Sequence, residues 1–74
     1  MIYVHTAITA MREGELCDIE VIAKDGRRLS YDNVRLIKYY HRGATLKVKF
    51  ETSGEIREFK LYQLVSYNQE DVIL

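Results

Sequence analysis

The chain has no proline and only one cysteine, Cys17. A lone thiol cannot form an internal disulfide, which excludes the disulfide-rich class of small secreted proteins. His5 and His41 are the only histidines, and no grouping of Cys and His has the spacing of a zinc site. Because no cofactor-binding motif occurs either, we expect neither a bound metal nor a cofactor.

Long apolar runs are also missing. The first residues have no basic segment ahead of an apolar one, so they do not resemble a signal peptide. Nothing approaches the run of about 18 apolar residues that a membrane helix needs. We expect a cytoplasmic protein without membrane contact. Its 74 residues suffice for one domain, residues 1–74, with a thin core. Oligomerisation is the remaining way to extend such a core.

No residue pattern is typical of an active site. Cys17 shares the strand parity of Ile19 and Val21, which indicates a buried structural thiol and not a nucleophile. The serines lack the surroundings of a nucleophile elbow. We predict that the protein is not an enzyme, and we assign no catalytic residue.

Alternating apolar and polar residues predict a hairpin over residues 45–61. Leu46, Val48 and Phe50 alternate with charged residues, which is the period of a strand with one buried face. Ser53-Gly54 supplies a turn. A two-residue turn there predicts four opposed pairs: Thr52 with Glu55, Lys49 with Glu58, Val48 with Phe59, and Leu46 with Leu61.

A second hairpin is predicted around Asp25-Gly26. A two-residue turn would place Val21 opposite Ser30, so that an apolar residue of one strand would face a polar residue of the other. A three-residue loop with Gly26 in the left-handed region opposes Val21 to Leu29 and Ile19 to Tyr31. We prefer the three-residue loop because it keeps both faces of the hairpin consistent.

The register of the next hairpin stays open. Asp32-Asn33 indicates a bend, after which residues 34–40 read as a strand that turns at residues 41–44. A three-residue loop pairs Leu36 with Val48 and Val34 with Phe50. A four-residue loop instead pairs Ile37 with Val48 and Tyr39 with Leu46.

The rest of the chain also reads as strands. Ile2, Val4, Thr6 and Ile8 share one parity and predict a first strand over residues 2–9. Residues 63–67 and 72–74 read as strands around a turn at Asn68-Gln69. We predict an all-β fold, a small and strongly bent antiparallel sheet or SH3-like barrel of six to seven short strands.

Charge is unevenly distributed. Residues 26–49 contain seven Lys and Arg against one Asp, whereas residues 1–25 and 50–74 each contain two against five acidic residues. Tyrosines lie among these cations, and cations with aromatic rings bind phosphates and bases. One hypothesis is therefore a single-stranded nucleic-acid-binding small barrel. Its residues would be Arg27, Arg28, Arg35, Lys38, Tyr40 and Arg42.

The strands also carry more apolar residues than one face can bury. A cluster of apolar side chains on an outer face more often indicates an interface than chance exposure. We favour a non-enzymatic protein-interaction or structural module that associates with itself as a symmetric homodimer. Its contact residues would be Ile22, Ile37, Tyr39, Ile56 and Tyr62.

Two resemblances accompany these patterns. Residues 17–34, CDIEVIAKDGRRLSYDNV, resemble the first motif of Sm-like RNA-binding barrels, but the glycine expected after the turn is missing and Asp32 and Asn33 are adjacent instead of spaced. Residues 54–74 resemble, in the spacing of their residue types, small uncharacterised β-rich proteins of gut bacteria, some of them encoded in mobile elements. The second resemblance implies a bacterial origin and no established activity.

Overall fold

The structure is a computed structural model that describes residues 1–73, so the predicted strand end at Leu74 lies outside the described residues. Within residues 1–73, seven strands, one α-helix and one 3₁₀ turn follow one another. They are β1 (Ile2–Tyr3), α1 (Val4–Met11), β2 (Cys17–Ile22), β3 (Arg28–Tyr40), β4 (Thr45–Phe50), β5 (Ile56–Lys60), the 3₁₀ turn (Leu61–Gln63), β6 (Leu64–Tyr67) and β7 (Glu70–Ile73).

The predicted first strand over residues 2–9 is wrong beyond Tyr3, because Val4–Met11 form α1. Val4, Ala7, Ile8 and Met11 are all buried, and their spacing of three and four residues places them on one helical face. No side chain caps the amino end of this helix. A helix of eight residues is not stable alone in water, so packing of this face holds it in place.

The hairpin of β2 and β3 has the predicted register. Val21 lies opposite Leu29 and Ile19 opposite Tyr31, and Gly26 has a φ of 89°. The bend predicted at Asp32-Asn33 is a bulge within one continuous strand. Asn33 has a φ of 56°, and its backbone N–H donates to Asp18 Oδ1 at 3.1 Å.

Both registers considered for β3 and β4 occur in the same hairpin. Leu36 pairs with Val48 as the three-residue loop predicts, and Tyr39 pairs with Leu46 as the four-residue loop predicts. A shift of one residue between Leu36 and Lys38 joins the two halves. An extra residue of this kind bends the strand and increases its twist.

The predicted register of β4 and β5 is wrong by two residues. Leu46 lies opposite Phe59 and Lys47 opposite Glu58. The loop is longer than the two-residue turn we expected, since the N–H of Gly54 donates to the carbonyl of Phe50 at 2.7 Å. A shift of two keeps every side chain on its predicted face, and Val48 and Phe59 are both buried.

The strands form one sheet in the order β1-β7-β6-β2-β3-β4-β5. The prediction of a β-rich fold is confirmed, but the sheet is mixed instead of antiparallel, because β1 runs parallel to β7. The sheet is also not closed into a barrel. The three-residue 3₁₀ turn connects β5, at one edge, to β6 beside β2.

The core lies between α1 and one side of this sheet, which we call the inner face. The helix contributes Val4, Ile8 and Met11 to it. The sheet contributes nine buried side chains: Cys17, Ile19, Val21, Val34, Leu36, Leu46, Val48, Phe59 and Leu64. Stacked rings extend it at one end, where the centroid of Tyr31 lies 4.7 Å from that of Phe50. The opposite side of the sheet, its outer face, has no helix over it among the described residues.

The turn between β6 and β7 generates a prediction. Asn68 and Gln69 both have positive φ, 46° and 69°, as a type I′ turn requires. Asn68 tolerates this conformation, but Gln does so at a cost of about 1–2 kcal/mol. Gln69→Gly is therefore expected to raise the free energy of unfolding by about 1 kcal/mol, measured by urea denaturation.

Asn68→Gly is the matched control. Asn68 Oδ1 accepts the backbone N–H of Asp18 at 2.9 Å. Losing this hydrogen bond offsets any stability that glycine gains at a positive φ. A Gln69→Gly variant no more stable than the wild type would contradict the proposed strain.

Candidate anion-binding face

Five cations lie on the outer face of β3, β4 and β5. Directly opposed residues of antiparallel strands share one face and form a row across the sheet. Arg35 and Lys49 form the first row, and Lys38 and Lys47 form the second. The third row consists of Tyr40, Thr45 and Lys60. Glu58, opposite Lys47, is the one carboxylate in these three rows. We call this surface the cationic face; it consists of Arg35, Lys38, Lys47, Lys49 and Lys60.

Two of the rows oppose cation to cation. Arg35 lies directly across from Lys49, and Lys38 from Lys47. Like charges at opposed positions of a sheet destabilise it, by up to about 1 kcal/mol for each pair. Two such pairs side by side concentrate positive potential on one surface, which is the arrangement that attracts an anion.

The cations of the two opposed rows differ in how far they are neutralised. Arg35 lies 3.8 Å from a Glu51 oxygen and donates to the carbonyl of Gly14. Lys38, Lys47 and Lys49 have no carboxylate within 4.0 Å among residues 1–73. No ion pair neutralises these three ammonium groups, so each can bind an anionic ligand.

Tyr40 borders the cations. The Lys38 ammonium lies 5.0 Å from the centroid of the Tyr40 ring. At the end of β5, Lys60 Nζ donates to the Gly43 carbonyl at 3.1 Å and to Thr45 Oγ1 at 3.2 Å. An ammonium group has three N–H donors, so Lys60 retains one for an anion.

The structure divides the six residues predicted for nucleic-acid binding. Arg35, Lys38 and Tyr40 lie together on the outer face. Arg28 begins β3 and Arg27 precedes it. Each forms an ion pair, Arg27 with Asp25 at 2.7 Å and Arg28 with Glu20 at 2.9 Å. Arg42 is exposed in the turn between β3 and β4.

The six residues predicted for nucleic-acid binding leave out Lys47, Lys49 and Lys60, although the basic segment over residues 26–49 from which they were chosen contains the first two. The first two alternate with buried Leu46 and Val48, so the sequence did show that they share one outward side. Lys60 lies opposite Thr45. A shift of two residues keeps a side chain on its face, so the predicted register also places Lys60 on this side, opposite Lys47.

The residues predicted for self-association lie at separate places. Tyr39 packs against the core, and its ring meets His41 edge-on at 4.7 Å. Ile56 lies on the outer face opposite Lys49, and Ile37 is exposed at the bulge of β3. Only Ile22 and Tyr62 line the same groove.

This groove is formed where the 3₁₀ turn passes the end of β2. It has a volume of about 590 Å³ and is lined by Ile22, Ala23, Lys24, Lys60, Tyr62 and Gln63. The Gln63 side chain fixes the wall of the groove, because its Nε2 donates to the Ile22 carbonyl at 3.0 Å and its Oε1 accepts the N–H of Lys60 at 2.8 Å. Tyr62 is 67% exposed, so its ring is available for contact.

A second, smaller depression on the outer face is acidic. Asp18, Glu20 and Asp32 line it together with Ser30, Ser66 and Gln69. Two of its carboxylates already have partners, because Glu20 binds Arg28 and Asp18 accepts the N–H of Asn33. Within residues 1–73, no group of three or more His, Cys, Asp or Glu is arranged to hold a metal ion.

Cys17 lies in the core and not in either depression. It is buried, and its Sγ lies 3.6 Å from the Val34 carbonyl. Burial, together with the negative charge of Asp18, raises the pKa of the Cys17 thiol to about 11. A thiol with this pKa stays protonated at neutral pH, which is the opposite of what a nucleophile needs.

The comparisons with known proteins add no family. No protein-family model matches the chain, and neither the curated proteins nor the solved structures contain a significant match. None of the described helices is long and apolar enough to cross a membrane. The bacterial origin, the cytoplasmic location and the lack of enzymatic activity therefore stay predictions.

The state of Cys17 can be tested by thiol labelling at pH 8. The folded thiol is expected to resist an aromatic disulfide reagent, because it is buried and its pKa lies near 11. In urea the same thiol is expected to react rapidly, with a pKa of about 8.5. Equal labelling rates in both conditions would contradict the buried, protonated thiol.

Proposed function

We propose that this protein binds single-stranded nucleic acid through the cationic face. The observation that carries the proposal is the pair of opposed like-charge rows, Arg35 with Lys49 and Lys38 with Lys47. The repulsion between opposed cations destabilises the free protein. An anion that binds between the cations removes this repulsion. The backbone phosphates of a nucleic acid supply such charges at regular intervals.

A polymer fits this surface better than a small anion does. The cations extend over three neighbouring strands and do not converge on one enclosed pocket. Strands lie about 4.8 Å apart and same-face neighbours about 6.7 Å apart along each strand, so the five charges cover an area and not a point. A chain of phosphates can contact several of them at once.

The aromatic rings favour a single strand over a duplex. Tyr40 lies in the third row of the cationic face, and Tyr62 is exposed beyond Lys60. Single strands expose the flat faces of their bases, which stack on tyrosine, whereas a duplex hides them. The acidic residues in residues 1–25 and 50–74 leave the net charge of the chain at zero.

The test replaces Lys38 and Lys47 together by glutamine. Affinity for a fluorescent single-stranded oligonucleotide is expected to fall, and the slope of log Kd against log salt is expected to drop by roughly 1.4, or about 0.7 for each lost phosphate contact. The double variant is expected to be about as stable in urea as the wild type, since the lost repulsion between Lys38 and Lys47 offsets the lost attraction between Lys47 and Glu58. Loss of binding is thereby separated from loss of folding.

Arg27→Gln with Arg28→Gln is the matched control, because it removes two cations outside the cationic face that already have carboxylate partners. This variant is expected to bind as the wild type does. The proposal fails if the wild type does not bind the oligonucleotide at low salt, or if the control loses as much affinity as the Lys38 and Lys47 variant.

Self-association is a second candidate, and the open edge of the sheet favours it. β5 ends the sheet. The N–H groups of Phe50 and Leu61 pair across the β4–β5 hairpin with Glu55 and Ala44. Because bonded and non-bonded pairs alternate in an antiparallel ladder, the N–H and C=O of Glu58 point away from β4. Such an edge can pair with the same edge of a second copy.

Sedimentation at micromolar concentration tests this pairing. Dimers are expected, and Glu58→Pro is expected to abolish them, because proline removes the outward N–H without breaking the ladder to β4. Glu58→Gln keeps that N–H and is expected to remain dimeric. A wild-type monomer of 8.7 kDa would contradict self-association.

A further inference from the structure

We propose that the groove beside Tyr62 is a base-stacking subsite for the strand bound on the cationic face. The inference rests on the proposed function and extends it to a second surface. The groove shares Lys60 with the cationic face, so a strand that crosses the third row of the face reaches the groove at Lys60. The occupant is one nucleotide of that strand.

The lining of the groove matches a nucleotide in two respects. Tyr62 and Ile22 give it an aromatic and an apolar side chain, against which the flat face of a base can pack. Lys24 and Lys60 supply positive charge in the same groove, where a backbone phosphate would lie. Lys24 forms no ion pair within the described residues.

The subsite is formed before any ligand arrives. Gln63 bonds to the backbone of both Ile22 and Lys60, which ties the 3₁₀ turn to the end of β2. The turn holds Tyr62 exposed above the groove. A preformed aromatic surface loses little conformational entropy on binding, so stacking contributes most of its energy to affinity. Because every base has a flat aromatic face, this subsite is not selective for one base.

Tyr62→Ala tests the subsite with two oligomers of equal length, one carrying bases and one abasic. Affinity for the base-containing single strand is expected to fall about 5- to 150-fold, the range for losing one stacked base. Affinity for the abasic oligomer is expected to stay unchanged, since it contacts the cations but has no base to stack on Tyr62. Tyr3→Ala, which removes a similarly exposed tyrosine that does not line the groove, is the matched control.

A second variant reports on contact directly. The chain has no tryptophan, so in Tyr62→Trp all indole fluorescence comes from this one position. Base-containing single strands are expected to quench that emission, whereas the abasic oligomer and a duplex of the same length are expected to leave it unchanged.

The outcomes separate the two proposals. Normal single-strand affinity in Tyr62→Ala, or equal losses for both oligomers, overturns the stacking subsite while binding through the cationic face stands. Absence of quenching in Tyr62→Trp despite tight binding of the strand also overturns the subsite. If the wild type binds neither oligomer at low salt, the subsite and the proposed function both fail.

Discussion

The fold depends on the burial of one short helix against the inner face of an open sheet. Val4, Ile8 and Met11 are each at most 3% exposed there. Full burial of such side chains contributes about 1.5–3 kcal/mol each, which is comparable in sum with the total stability of a small domain, about 5–15 kcal/mol. Since the sheet does not close on itself, α1 covers surface that a barrel would have buried without help.

The same residues explain why the sequence predicted a strand where the structure has this helix. Val4 and Ile8 are four residues apart, and that spacing satisfies both the strand period of two and the helical period of 3.6. Ala7 and Met11 decide between the two, because they are buried in the helix and have the wrong parity for the strand. The hairpins were more predictable because alternation fixes the face of every side chain, even where the register between β4 and β5 was wrong by two.

The candidate site was predictable only in part, for a similar reason. The basic composition of residues 26–49 is visible in the sequence, but β3 is long enough to take part in two different hairpins. Its first half brings the Arg28 guanidinium within 2.9 Å of the Glu20 carboxylate, and its second half places Lys38 opposite Lys47. The groove beside Tyr62 was beyond prediction, because it exists only where a three-residue connection brings the ends of β2 and β5 together.

The parallel contact between β1 and β7 has a consequence for how the chain folds. Ile2 lies beside Val72, so this ladder closes a loop of almost the entire chain, whereas the antiparallel hairpins join neighbouring segments. Closing a longer loop costs more entropy, and contacts between distant segments slow folding. The hairpins are therefore expected to assemble first, leaving the helix to dock late, when the two ends of the chain finally meet.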